Sequence, residues 1–158
     1  IPQFHRLKGD ALLGLERTDQ AAKAYRKSLS LYPGYESAEL GLGRVALLTG
    51  DYHEAERRFA SVTQDWPGSI NAHWGLGLAL YHQEKFQAAI QPLETVVQAA
   101  PEQPDVLYVL GTSYDRVGRN REAVMAYKAA VQTGLAGDAK ERALNRISQI
   151  EPTLPKQE

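Results

Sequence analysis

The chain has 158 residues, 43% hydrophobic and 23% charged, with 18 Lys and Arg against 19 Asp and Glu for a formal net charge of -1. Charges so balanced leave no clustered excess of Lys and Arg for nucleic acid or an anionic membrane surface, and apolar runs of a few residues fall far below the roughly 20 that cross a bilayer. Cys is absent, which excludes disulfides, thiolate zinc sites and a cysteine nucleophile while leaving the redox compartment open, so a soluble protein of cytoplasm or periplasm is expected.

The chain opens on Ile1 and Pro2 without Met or a leader segment, which reads as a fragment or a processed product. Glycine then recurs at residues 9, 43, 77 and 111, an interval of 34, and alanine keeps the same interval at 21, 55, 89 and 123. A large apolar residue follows at Tyr25, Phe59, Leu93 and Tyr127, and proline at 33, 67 and 101. Several columns on one period of this length mean one supersecondary unit copied and stacked.

Within each unit, apolar residues recur every three to four positions in two bursts separated by a polar turn, the pattern of a helical hairpin. The expected first helices are about 3–15, 36–49, 70–83 and 104–117, and the second helices about 19–31, 53–65, 87–99 and 121–133. No alternating strand pattern appears, so the fold class is all-α. In the second unit, Gly50 is suited to end a helix in a left-handed conformation, and Asp51 with Glu54 has the spacing of a capping box. A glycine in mid-helix costs about 1 kcal/mol relative to alanine, so close packing must offset that cost at Gly43 and its copies. Phe59 or its equivalent would fill the space that small residues leave.

Pro33, Pro67 and Pro101 end the second helices, and Pro92 should bend its helix by removing a bond to Ala88. Leu135 replaces the fourth proline, so Gly134 and Gly137 are expected to end that helix. Residues 138–150 resume a helical pattern, with Ala139, Ala143, Leu144, Ile147 and Ile150 on one side and a higher charge density. A terminal repeat needs a polar outer face, so this segment reads as a capping helix. Residues 151–158 carry two prolines and read as a tail.

Leu42-Gly43, Leu76-Gly77 and Leu110-Gly111-x2-Tyr114, followed by Ala21-x3-Tyr25, Ala55-x3-Phe59 and Ala123-x3-Tyr127, resemble the tetratricopeptide repeat signature W-x2-L-G-x2-Y, A-x3-F, P. The resemblance covers about residues 2–137, with repeats at 2–35, 36–69, 70–103 and 104–137 in one solenoid spanning 1–150. His5, Glu39, His73 and Leu107 occupy the Trp column, and Lys8 stands where Leu is usual. By resemblance the hairpins coil into a right-handed superhelix, with the first helices lining the concave side. Carried over by the 34-residue interval, the groove presents Arg6, Asp10 and Leu13, then Leu40, Arg44 and Leu47. Asn71, Trp74, Leu78, Tyr81 and His82 follow, then Asp105, Tyr108, Thr112 and Asp115.

Trp74 and Tyr108 share one column with Leu40, and aromatic side chains beside a cation such as Arg44 are the usual anchors of a binding surface. Gly41 and Gly75 would leave the groove floor open to a ligand backbone. The columns of the family's carboxylate clamp hold Arg6, Asp10, Gly41, Asn71 and Gly75, which argues against that mode.

The Gly41-x-Gly43 and Gly75-x-Gly77 pairs lie in mid-helix, without the strand and helix start that phosphate cradling requires. His73 and His82, nine residues apart, fall on opposite sides of one helix. No catalytic, metal or cofactor site is therefore assigned. The expected function is a non-catalytic adaptor or scaffold that binds a protein or peptide segment in its groove, with neither nucleic acid nor membrane insertion. Alternatives are a structural element self-associating through the uncapped first hairpin by way of Phe4, Tyr25 and Leu29, or a docking domain cut from a larger protein.

Overall fold

The computed structural model describes residues 1–155. Among these residues the regular structure is all helical: α1 (Pro2–Gly14), α2 (Thr18–Leu31), α3 (Glu36–Leu48), α4 (Tyr52–Asp65), α5 (Ile70–His82), α6 (Phe86–Ala99), α7 (Pro104–Arg116), α8 (Asn120–Gln132) and α9 (Gly137–Ile150), with a short 3-10 turn at Glu151–Thr153. Each boundary falls within one residue of its expected position. The helices divide between two compact units, Ile1–Gln83 with α1 to α5 and Glu84 onward with α6 to α9.

The turns inside the hairpins share one device. Gly50 takes φ +77° and the Asp51 amide donates back to the Ala46 carbonyl at 2.9 Å, closing the end of α3. Gly118 does the same at φ +79°, with the Arg119 amide on the Tyr114 carbonyl at 2.9 Å. Glu16 and Glu84 occupy the equivalent positions at φ +59° and +58°, in a region where a side chain is uncommon. The turn geometry therefore repeats every 34 residues even where glycine does not.

At the start of α4 the expected capping box is half formed. The Glu54 amide donates to Asp51 Oδ1 at 3.0 Å, but the Glu54 carboxylate turns outward to Arg57 and Arg58. The Asp51 amide needs no side-chain partner because it already serves α3. Asp51→Ala should cost about 1 kcal/mol by freeing an amide at the helix start. A urea melt beside the parent chain checks this, and an unchanged midpoint would show the cap to be idle.

In the first unit, α2 and α3 pack between hairpins as α1 and α2 do within one, and α4 lies against both α3 and α5. Tyr25 and Phe59 are the pivots, exposed to 0% and 1%. A Cβ added at Gly9 would lie 2.6 Å from the Tyr25 ring and one at Gly43 2.7 Å from the Phe59 ring, far inside van der Waals contact. The glycine sixteen residues before each ring thus permits the approach within a hairpin. Gly41 and Gly75 sit sixteen residues after the same rings, and a Cβ there would come nearer still. No side chain fits at either position, because the space on their Cβ side is filled by the preceding hairpin's ring. Each aromatic knob is therefore clasped by two glycines.

The second unit follows the same rule with other sizes. A Cβ at Gly111 would lie 2.9 Å from the Tyr127 ring, and sixteen residues beyond Tyr127 stands Ala143, fully buried. Leu93, smaller than an aromatic, is matched at that interval by Val109, and both are buried. Close packing requires this exchange of volume between neighbours. Pro92 is buried inside α6, which runs through it unbroken from Phe86 to Ala99.

Three expectations change here. Gly134, at φ +109°, ends α8, whereas Gly137 is the first residue of α9 and ends nothing. Leu135, in the proline column, is buried, and its amide donates to the Ala130 carbonyl at 2.9 Å. On α9 Ala143, Ile147 and Ile150 are buried, but Leu144 is 46% exposed because the buried stripe is narrower than expected. The chain beyond α9 begins as an ordered turn, with Thr153 Oγ1 on the Ile150 carbonyl at 2.6 Å and Lys128 paired to Glu151. Residues 156–158 of the expected tail lie outside the described residues.

Candidate functional site

In the first unit, the exposed side of α1, α3 and α5 encloses a hollow of about 710 Å³. Arg6 and Asp10 come from α1, Leu40, Arg44 and Leu47 from α3, and Asn71, Trp74, Leu78 and His82 from α5. Six expected binding residues, Arg6, Leu40, Arg44, Asn71, Trp74 and Leu78, are thereby brought to one cavity. The helices supply them because residues three and four apart share a face, and the opposite face is held by the glycine and alanine columns.

Leu13 is not part of this hollow. It is buried in the core with Leu12, Tyr25 and Leu42. Tyr81 stands outside the hollow and meets His82 edge-on, ring centroids 5.4 Å apart. Gly41 and Gly75 reach the cavity as expected, and Ser37, Leu48 and the Phe59 ring line it too, although the repeat columns did not single these three out for it. Phe59 was legible only as core, yet its ring reaches the floor between Gly43 and Gly75.

The polar groups of the hollow are unevenly engaged. Arg6 Nη1 donates to Asp10 Oδ2 at 2.5 Å, and the buried Tyr25 hydroxyl donates to Asp10 Oδ1 at 2.7 Å. Burial, and then the neighbouring Asp10 carboxylate, push the Tyr25 phenol well above its ordinary range, so it remains a donor. Arg44 and Arg6 act weakly in the other direction. Arg44 itself is exposed and makes no hydrogen bond or ion pair among the described residues.

In the second unit a hollow of about 490 Å³ is lined by Tyr108, Thr112, Asp115 and Arg116 of α7, Tyr127 of α8, and Arg142, Asn145 and Arg146 of α9. It gathers the remaining expected residues Tyr108, Thr112 and Asp115, while Asp105 lies exposed elsewhere on α7. The Tyr127 hydroxyl donates toward Thr112 Oγ1 at 3.2 Å and Asp115 Oδ2 at 3.4 Å. Burial is the first cause that raises its phenol. Arg146 grips Asp115 with two bonds, Nε to Oδ2 at 2.8 Å and Nη2 to Oδ1 at 2.7 Å.

Those α9 residues were missed by treating 138–150 only as a polar cap. The interval of 34 held the signal, because Arg142 and Arg146 continue the columns of Tyr108 and Thr112. The capping helix therefore supplies one wall of a hollow, as the first helix of a further repeat would.

Stacked hairpins with hollows along their first helices define a helical-repeat protein of the kind that serves as an interaction scaffold. Tetratricopeptide repeat models match residues 6–55, 40–104 and 104–133, and the chain belongs to the tetratricopeptide repeat family. Human Tetratricopeptide repeat protein 13 is 29% identical over 99 residues, covering 60% of this chain and 12% of that protein. Human Protein O-mannosyl-transferase TMTC1 is 31% identical over 120 residues, covering 73% of this chain and 14% of that protein. The chain thus spans only a small part of the curated relatives it matches.

Solved structures share the fold. A crystal structure of MamA superposes with a TM-score of 0.80 at 26% identity, covering 92% of this chain and 83% of that one. MamA from Desulfovibrio magneticus RS-1 gives 0.81 at 19% identity over 96% and 93%. A thermophilic TPR protein from Thermus thermophilus gives 0.69 at 19% identity over 97% and 82%. Among the described residues no helix is long and apolar enough to cross a membrane.

Proposed function

We propose that the chain is a non-catalytic adaptor that holds an extended or helical segment of a partner protein against its first helices. In the first unit Leu40, Arg44, Asn71, Trp74 and Leu78 make the contact, and in the second Tyr108, Thr112 and Asp115. The observation that carries this reading is Trp74, half-buried on the wall of a 710 Å³ hollow that also presents four leucines and the unpaired Arg44. A large rigid ring left partly in solvent gains area on docking at small entropic cost.

Trp74→Ala combined with Tyr108→Ala should weaken a peptide selected against the parent chain by about tenfold or more, the loss typical of an interface anchor. Far-ultraviolet circular dichroism and the melting temperature should stay nearly constant. Titration calorimetry against the selected peptide decides it: undiminished affinity, or loss of helicity, counts against the groove.

A second reading rests on α1. Phe4 and Leu7 are 60% and 54% exposed, whereas Ala38 and Gly41, and Ala72 and Gly75, in the same columns of α3 and α5, are buried under the preceding helix. A second copy could cover that face through Phe4 and Leu7. Tyr25 and Leu29, expected to join them, face the interior instead. Light scattering over a concentration series tests this reading, and a monomer at the highest concentration overturns it.

A further inference from the structure

We propose that the segment held by the first unit is acidic, a partner carboxylate pairing with Arg44 while an adjacent apolar side chain lies against Leu40 and Trp74. This rests on the groove reading and names the chemistry of its occupant. The argument begins with Asp10, the one carboxylate lining that hollow among the described residues. Both of its oxygens are engaged, one by Arg6 at 2.5 Å and the other by the Tyr25 hydroxyl at 2.7 Å. The single charge of Asp10 is thus already paired with Arg6, and the Arg44 guanidinium stays without a hydrogen-bonded or ionic partner.

The second hollow has the same polarity by independent means. Arg116, Arg142 and Arg146 line it against Asp115 alone, and Asp115 is closed off by the two bonds from Arg146. Both hollows thus carry surplus cation on a chain whose formal net charge is -1. The excess acid lies away from the walls where the anchors stand. Arginine's planar fork matches a carboxylate with two parallel bonds, and complementary charge fixes both register and partner choice. Leu40, Leu47 and Leu78, which line the same hollow, favour a peptide over a polyphosphate, because a nucleic acid backbone offers nothing to bury against them.

The test uses the full chain with Trp66→Phe, so that Trp74 is the single tryptophan reporter. Two short peptides are titrated, one alternating Leu or Phe with Glu and the other identical but with Lys for Glu, alongside a single-stranded DNA oligonucleotide. The acidic peptide should shift Trp74 fluorescence with at least about tenfold higher affinity than the basic one, and the gap should narrow as salt rises. Arg44→Glu should abolish or invert the preference, and Arg44→Lys should keep part of it; Arg44 is exposed, so neither variant should disturb helicity.

Equal affinity for both peptides, or an unchanged preference in Arg44→Glu, overturns the acidic assignment while leaving the groove reading intact. No response of Trp74 to either peptide overturns both. Tighter binding of the oligonucleotide than of the acidic peptide also overturns the assignment.

Discussion

Gly41→Val should lower stability by about 2–3 kcal/mol, the cost of forcing atoms into a filled core. The first added carbon alone would press into the Tyr25 ring, which is buried and cannot swing aside. Removing a helical glycine returns less than this, about 1 kcal/mol, so the clash wins. Tyr25→Leu in the same chain should recover much of the loss, because Leu with Val sixteen residues later is the pair this protein uses at Leu93 and Val109. Urea unfolding of the parent, both single variants and the double variant measures the coupling. An interaction of about 1 kcal/mol or more is expected for residues in contact. Simple additivity would mean that the two positions do not exchange volume across the hairpin boundary.

Phe59→Ala should cost about 3–5 kcal/mol, the range for deleting a buried phenyl ring. Gly43 and Gly75 flank the ring from two hairpins and have no side chains to lean into the void. Phe59→Leu should be far milder, since Leu93 fills the equivalent position in the second unit. Thermal and urea melts of the two variants settle the order. If Ala and Leu were equally harmful, the loss would come from shape and not from the cavity. Because Phe59 also floors the first hollow, Phe59→Ala should loosen peptide affinity as well.

Much of the fold could be read before any coordinates. The glycine, alanine and aromatic columns located eight helices to within a residue, because helix starts and ends depend on neighbouring residues: Gly50 can turn left-handed, and Asp51 can accept an amide. The glycine before each knob was equally legible, since ring and glycine lie in one hairpin. The glycine after each knob was read only as groove floor, and its contact with the previous hairpin's ring was missed because a column viewed within one repeat does not reveal it. Gly137 was misassigned for a similar reason: a left-handed residue serves an ending or a beginning alike until its hydrogen bonds are known.

The walls of the two hollows were half legible. Periodicity placed Arg6, Leu40, Arg44, Asn71, Trp74 and Leu78 on one face, and the structure gathers them around one hollow. It could not say that Leu13 turns inward, that Tyr81 leans on His82, or that Arg146 closes over Asp115. These outcomes depend on side chains from helices distant in sequence competing for the same space and the same charge.

The amino-acid order alone therefore determined the unit, its count and its helical faces, since periods of 34 and 3.6 residues are properties of a chain read along its length. Which carboxylates are engaged and which arginine is left unpaired was decided only by the folded molecule. Hydrogen bonds and ion pairs act over a few ångströms, and Asp115 and Arg146, 31 residues apart, come within reach only once α9 packs on its neighbours.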